Sequence, residues 1–261
     1  MWKVITRSSI GTSHQQLNLP CQDYGRYLLL EGNILIGAIA DGAGSAKHAD
    51  IGAKTTVDES LRFLQAIHAK TTQDLPTNDP LSEEQAQLLF TQLIESVRSR
   101  LNIVATEMEG NFSDLASTLL VFIATPHWLA GMQIGDGFMV IRDKNEAYRL
   151  LFQPDKGEYI NETTFVTSDH AIDTLQVKVL PEVPTFICAA TDGVERVSLN
   201  LVQWMPFAPF FEPLETYLQE TENPEDEDDY LNAFLNSDRL NARTTDDKTL
   251  LLSLWCDQDL P

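Results

Sequence analysis

Four acidic junctions stand at the edges of apolar runs in this chain of 261 residues. Asp41-Gly42 follows ILIGAIA, Asp136-Gly137 closes LAGMQIG, Asp192-Gly193 follows FICAAT, and Asp246-Asp247 precedes KTLLLSL. A carboxylate at the end of a buried strand, followed by a glycine that lets the backbone approach closely, offers a side-chain and a carbonyl oxygen together. Mg²⁺ and Mn²⁺ take such oxygen ligands in octahedral shells completed by water. Two ions about 3.5–4 Å apart, bridged by one aspartate, can clamp a phosphate and acidify a shared water for in-line attack on phosphorus. No Ser, Cys or His nucleophile is then required. Asp-Gly is also the strongest short hairpin signal, and for any one of these pairs a turn is the simpler reading. Four together favour the metal.

The elements that must position these acids follow from the apolar pattern. Strands are expected at residues 2–7, 26–31, 34–40, 117–124, 127–134, 137–142, 185–190 and 248–254, rich in Leu, Ile and Val and bounded by Gly, Asp, Asn or Pro. Most runs are continuous, as in sheets covered on both faces. A helix over 52–69 carries Val57, Leu61, Leu64 and Ile67 on one face; a second over 82–108 opens with a Ser82/Gln85 capping box. Its stripe is Leu89, Leu93, Val97, Leu101, Val104 and Met108, the spacing of a helix lying on a sheet. Between them TTQDLPTNDP is a loop. Helical patches are expected around 198–205, 210–220 and 229–236. The acidic run ENPEDEDD (222–229) reads as a solvated insert without calcium-loop spacing. No repeat or linker divides the chain, so residues 1–261 read as one α+β domain with helices packed outside its sheets.

Composition narrows the function classes. With 18 Lys+Arg against 39 Asp+Glu, the net charge is −21, which opposes nonspecific nucleic-acid binding and attachment to anionic membrane. Cys21, Cys188 and Cys256 are odd in number, distant, and form no CxxC, so neither a disulfide framework nor a zinc site is expected. No apolar h-region opens the chain and no run approaches the roughly 18–20 residues of a membrane span. The expected location is the cytoplasm.

RSSIGTSH (7–14), CQD (21–23), ADGAGSAKHADIGA (40–53), STLLVFI (117–123), QIGDG (133–137), TDG (191–193) and DDKTLLL (246–252) occur in this order. Together they resemble the type 2C metal-dependent serine/threonine protein phosphatases, in their bacterial stand-alone branch. The resemblance runs from about residue 5 to 254, and GEYINETTFVT (157–167) falls where bacterial members place a flap, about 155–178. It implies a four-layer α-β-β-α sandwich: two mainly antiparallel sheets face to face, each covered outside by helices. It implies hydrolysis of phosphoserine and phosphothreonine on proteins, the substrates of a Ser/Thr kinase. Mn²⁺ or Mg²⁺ would be needed, as two catalytic ions and a third, weaker one, with a bimetal-activated hydroxide as nucleophile and no phosphoenzyme. Carried over by position, Asp41 bridges the catalytic metals and the Gly42 carbonyl binds one of them. Asp192 and Asp246 complete the other ion's protein ligands, Asp136 helps hold the third metal, and Asp23 lies near the second, directly or through water. Thr118 and Asp247 orient the carboxylates. Without accessory domains a monomer is the default.

Three positions depart from the better-known eukaryotic pattern. Gln22 stands where a Glu often supports the second metal, His14 where many members carry an Arg that grips the phosphate, and Ala43 where a His is proposed to protonate the leaving group. His14 remains the candidate phosphate contact, shorter and only partly charged; leaving-group protonation would fall to a metal-bound water or to His48. These departures motivate an alternative, a catalytically weak or inactive phosphoprotein-binding regulatory module of the same fold. A hydrolase of nucleotides or other small phosphates would share the ions, but no Gly-rich phosphate loop supports it. Solvation is the simpler reading of Lys47 and His48. Helix packing is the simpler reading of the aromatic group Trp204, Phe207, Phe210 and Phe211, against a protein-docking patch. Cys21 reads as a small buried residue whose oxidation would disturb the second metal.

Overall fold

Strand β3 (Ile34–Asp41) displays the layering of the molecule in its own alternation. Ile34, Ile36, Ala38 and Ala40 pack beneath helices, while Leu35 and Ile39 enter a separate core between two sheets. A strand with both faces covered must be apolar throughout, which is why these runs are continuous rather than alternating.

The computed structural model describes residues 1–70, 78–143, 146–153, 163–225 and 230–256. Much of the connection after Lys70, part of the expected flap and the end of the acidic run lie outside the described residues. In chain order the elements are β1 (Trp2–Ser9), α1 (Thr12–Leu17), β2 (Asp23–Leu30), β3, α2 (Ala49–Lys70), α3 (Glu83–Glu107), β4 (Leu119–Ala124), β5 (Leu129–Ile134), β6 (Phe138–Arg142) and β7 (Arg149–Leu150). There follow β8 (Gln176–Leu180), β9 (Phe186–Ala190), α4 (Glu195–Ser198), β10 (Leu199–Asn200), β11 (Met205–Pro206), α5 (Ala208–Glu220), α6 (Tyr230–Leu235), α7 (Asp238–Asn241) and β12 (Lys248–Trp255).

Two five-stranded antiparallel sheets, ordered β1-β12-β9-β6-β7 and β2-β3-β4-β5-β8, lie face to face. Between them Val4, Leu35, Phe122, Met139, Ile187 and Leu251 form the central core. Helices α2 and α3 cover the second sheet through Val57, Leu61, Leu64, Phe90, Leu93 and Val97. Helices α5, α6 and α7 cover the first, where Phe211, Leu214, Leu231 and Leu240 meet Ile5, Phe138, Cys188 and Leu252. This is the expected four-layer sandwich. Each such fully buried Leu, Ile or Phe contributes about 1.5–3 kcal/mol of transfer free energy. The capping box forms as expected: Gln85 N–H donates to Ser82 Oγ at 3.1 Å, and Ser82 N–H to Gln85 Oε1 at 2.8 Å.

The patch expected to be helical at 198–205 is not. It is the two-residue ladder of β10 and β11, and Asn200 is the reason: its Oδ1 accepts the N–H of Val202 at 3.1 Å and of Gln203 at 3.3 Å. Such local bonds compete with helix formation, and Trp204 at φ 51° leaves the right-handed region altogether. The aromatic group divides accordingly. Phe210 and Phe211 are buried as packing residues, whereas Phe207 is 53% exposed. Edge strand β8 and the short α1 and α7 carry too few apolar residues to be read from periodicity.

Candidate metal centre

One end of the sandwich collects the acids because both sheets place the relevant strand termini there. In the second sheet Asp23, first residue of β2, is the register partner of Asp41, last residue of β3. In the first sheet the start of β6, the end of β9 and the start of β12 coincide, through Phe138–Ala190 and Leu250–Ala190. Asp136 therefore leads into β6, Asp192 follows β9, and Asp246 precedes β12. The carboxylate oxygens of Asp41, Asp136 and Asp192 lie within 4.8 Å of one another. Asp23 and Asp246 stand outside that trio but close enough for their charge to act on Asp41.

The Asp-Gly pairs are not hairpin turns. Type I′ turns need φ > 0 at both central residues, and the glycines of this chain with positive φ are Gly32 and Gly135 among the described residues. The chain uses Gly32 (φ 78°) and Asn33 (φ 57°) for its β2–β3 hairpin. Gly193 is needed for close approach: a Cβ there would lie 1.8 Å from the Asp247 carbonyl oxygen. That contact sets the segment bearing Asp192 directly on the segment bearing Asp246 and Asp247.

Burial and crowding raise the proton affinity of two of these carboxylates. Burial first, then the charges of Asp23, Asp192, Asp246 and Asp136, push the Asp41 carboxyl well above the ordinary range. Burial likewise raises Asp23 to about 8, against a hydrogen bond from Thr191 that lowers it; the charges of Asp247 and Asp192 raise it further. Thr191 Oγ1 donates to Asp23 Oδ2 at 2.6 Å, and Thr163 Oγ1 to Asp136 Oδ2 at 2.7 Å. Thr118 Oγ1 accepts the Asp41 N–H at 2.9 Å, so it fixes the backbone of that residue. Asp23 Oδ1 is buried without a hydrogen-bond partner. An oxygen-only donor set that repels itself, with an orphaned buried oxygen, fits a hard divalent cation.

Asp247 is a structural hub. Its oxygens accept Gly11 N–H at 2.6 Å, Gln22 N–H at 2.5 Å and the imidazole of His14 at 2.9 Å, Nδ1 being the donor. It thereby ties α1 and the approach to β2 onto the start of β12. Gln22 is buried with Oε1 unpartnered, and Ala43 is buried, its N–H donating to Ala116. Lys248, fully buried, donates to Asn241 Oδ1 at 2.9 Å and the Asp246 carbonyl at 3.4 Å. Burial pushes the Cys21 thiol up, and the charges of Asp23 and Asp247 add to this, so it is no nucleophile. Sequence reasoning missed Thr191, Thr163 and Lys248. Thr191 belongs to the TDG motif, but its partner is 168 residues away.

Residues 10–236 match the profile of the protein phosphatase 2C family. The chain belongs to that family. It is 33% identical to Serine/threonine-protein phosphatase 3 of Escherichia coli (strain K12) over 263 residues, 98% of this chain and 99% of the relative. A solved bacterial serine phosphatase superposes with a TM-score of 0.66 at 12% identity, covering 100% of both chains. The S. agalactiae serine/threonine phosphatase does so with 0.65 at 14% identity, covering 97% of this chain and 99% of that one. The family and this relative make the protein a serine/threonine protein phosphatase, a phosphoprotein hydrolase, and do not favour the binding-only alternative.

Proposed function

We propose that the acid cluster of this phosphatase holds two catalytic divalent cations, Mn²⁺ or Mg²⁺, and a third, weaker one. Asp41, the Gly42 carbonyl, Asp192, Asp246 and Asp23 would hold the two catalytic ions, and Asp136 would help hold the third. The observation that carries this reading is the convergence of Asp41, Asp136 and Asp192 within 4.8 Å, with the carboxyls of Asp41 and Asp23 pushed upward by burial and by the neighbouring acids, a repulsion that a cation would relieve. When bound, such cations supply Lewis-acid polarisation of the phosphoryl group and acidification of water.

The chain's own groups bind, orient and exclude. Thr191 and Thr163 aim the carboxylates of Asp23 and Asp136, and Thr118 sets the backbone at Asp41. His14, anchored by Asp247 through Nδ1, is the proposed phosphate contact. Protonation of the high-lying Cys21 thiol accords with turnover that forms no phosphoenzyme. The substrates are phosphoserine and phosphothreonine proteins produced by a Ser/Thr kinase. Among the described residues no helix is long and apolar enough to cross a membrane, and we place the reaction in the cytoplasm, carried out by a monomer.

The test is phosphate release from phosphoserine and phosphothreonine peptides, with Mn²⁺ or Mg²⁺ and with chelator, beside calorimetric titration of each metal. Metal-dependent release and saturable binding are expected. Release that persists in chelator, or absence of any bound ion, overturns the assignment.

A further inference from the structure

The apolar surface beside α4–α7 opens into a cavity of about 550 Å³ whose floor includes Phe207, Phe210 and Phe234 and whose wall carries Arg196, Arg239 and Arg243. Resting on the phosphatase reading above, we propose that this cavity docks an acidic stretch of the phosphoprotein substrate that carries a large apolar side chain, away from the phosphate itself.

Three independent features lead there. The first is charge. The chain carries 39 acidic and 18 basic residues, so three cations gathered at one concavity stand against its overall charge. Arg7, Arg26, Arg62, Arg142 and Arg149 each engage a carboxylate. Arg196, Arg239 and Arg243 are exposed and, among the described residues, make no side-chain hydrogen bond or ion pair. Guanidinium groups clustered at one concavity are suited to carboxylates, which they bind in bidentate fashion.

The second is the floor. Phe207 is 53% exposed beside the cavity, and the adjoining β10–β11 turn exposes Leu201, Val202 and Met205. An exposed Phe at a concavity that also holds Phe210, Phe234 and three arginines has the make-up of an interaction site. The third is position. Helix α4 begins three residues after Asp192, and Arg243 precedes Asp246 by three. The Lys248 amine joins Asn241 of α7 to the Asp246 carbonyl. Two segments thus serve both the acid cluster and the cavity, so one extended peptide can engage the two.

A peptide fits better than a membrane. The site is concave, and a chain of net charge −21 is repelled by anionic lipid. The acidic residue Glu225 of this chain is already engaged by Arg7.

The docking test uses the full chain and a fluorescein-labelled, unphosphorylated peptide with a single Phe flanked by Glu and Asp, read by anisotropy in chelator. Arg239→Glu and Phe207→Ala, both at exposed side chains, are each expected to weaken binding by about tenfold, and added salt to weaken it further. With metal, the same variants should raise KM about tenfold for a phosphoserine peptide bearing that acidic, Phe-containing flank, leaving its kcat and p-nitrophenyl phosphate turnover unchanged. Equal KM for acidic and neutral flanks overturns the proposal. So does peptide binding indifferent to both variants, preference for phosphatidylserine vesicles, or self-association that Phe207→Ala abolishes. If the peptide binds in chelator through Arg239 and Phe207 while no substrate is ever hydrolysed, the docking site stands and the catalytic reading falls.

Discussion

Thr191, at the end of β9, donates its hydroxyl proton to Asp23, at the start of β2, over 2.6 Å. The same oxygen accepts the Thr249 N–H at 2.8 Å. One side chain therefore ties the two sheets together at the end where the carboxylates meet. Thr191→Val keeps the shape and deletes both bonds. We expect a loss of about 1–3 kcal/mol, the cost of leaving buried polar groups unsatisfied, and Mn²⁺ affinity lower by about 10-fold or more. Thermal melts in chelator and calorimetric titration check this; a wild-type Tm and affinity would show the tie to be idle.

Asp41→Asn separates function from stability. Asparagine is neutral at every pH, so it spares the metal-free fold the cost of burying a carboxyl that its surroundings and four neighbouring aspartates push toward the neutral form. Turnover of p-nitrophenyl phosphate should fall to background, while the metal-free fold gains about 0.5–2 kcal/mol. Wild-type turnover by the variant would defeat the placement of Asp41 in the metal centre.

The metal-free protein should lose stability as pH rises. Asp23 titrates near 8 in the fold, against an ordinary value near 4, so between these limits the native state binds more protons than the unfolded chain. The stability contributed by protonated Asp23 is complete below about 4 and is lost as pH climbs through about 8. Ligand carboxylates must shed protons to take a cation, so the Tm increase on adding Mn²⁺ should grow over the same interval. Melting curves at a series of pH values, in chelator and in Mn²⁺, test both; an apo Tm that rises toward pH 8 contradicts the argument.

Gly193→Ala would drive a methyl group to 1.8 Å from the Asp247 carbonyl oxygen, so one segment must shift. Overpacking of this kind costs about 1–3 kcal/mol. Here it also parts Asp192 from Asp246. Reduced kcat/KM together with weaker Mn²⁺ binding is the expected result, and a fully active, equally stable variant would refute the packing argument.

The strand-borne acids were legible because their signal is local: an apolar run sufficient for a two-faced strand, then Asp, then Gly. The Ser82–Gln85 box was legible for the same reason, since its partners lie three residues apart. The patch at 198–205 misled because its Leu, Val and Trp content outweighed, in a periodicity argument, the single Asn200 whose side chain redirects the backbone. Phe207 and Phe210 are indistinguishable as letters, yet one is exposed and the other buried.

Residue order alone made legible the two-faced strands, the helices α2 and α3, the acidic junctions at strand ends, and a motif order specific enough to name a family. Which carboxylates actually approach one another came from packing of the two sheets. Asp247 reaches Gly11 across 236 positions and Gln22 across 225. Arg196, Arg239 and Arg243 line one cavity for the same reason. Periodicity records how a side chain relates to its own strand or helix, whereas a site and its charge balance depend on which distant termini the folded sandwich brings to a common end.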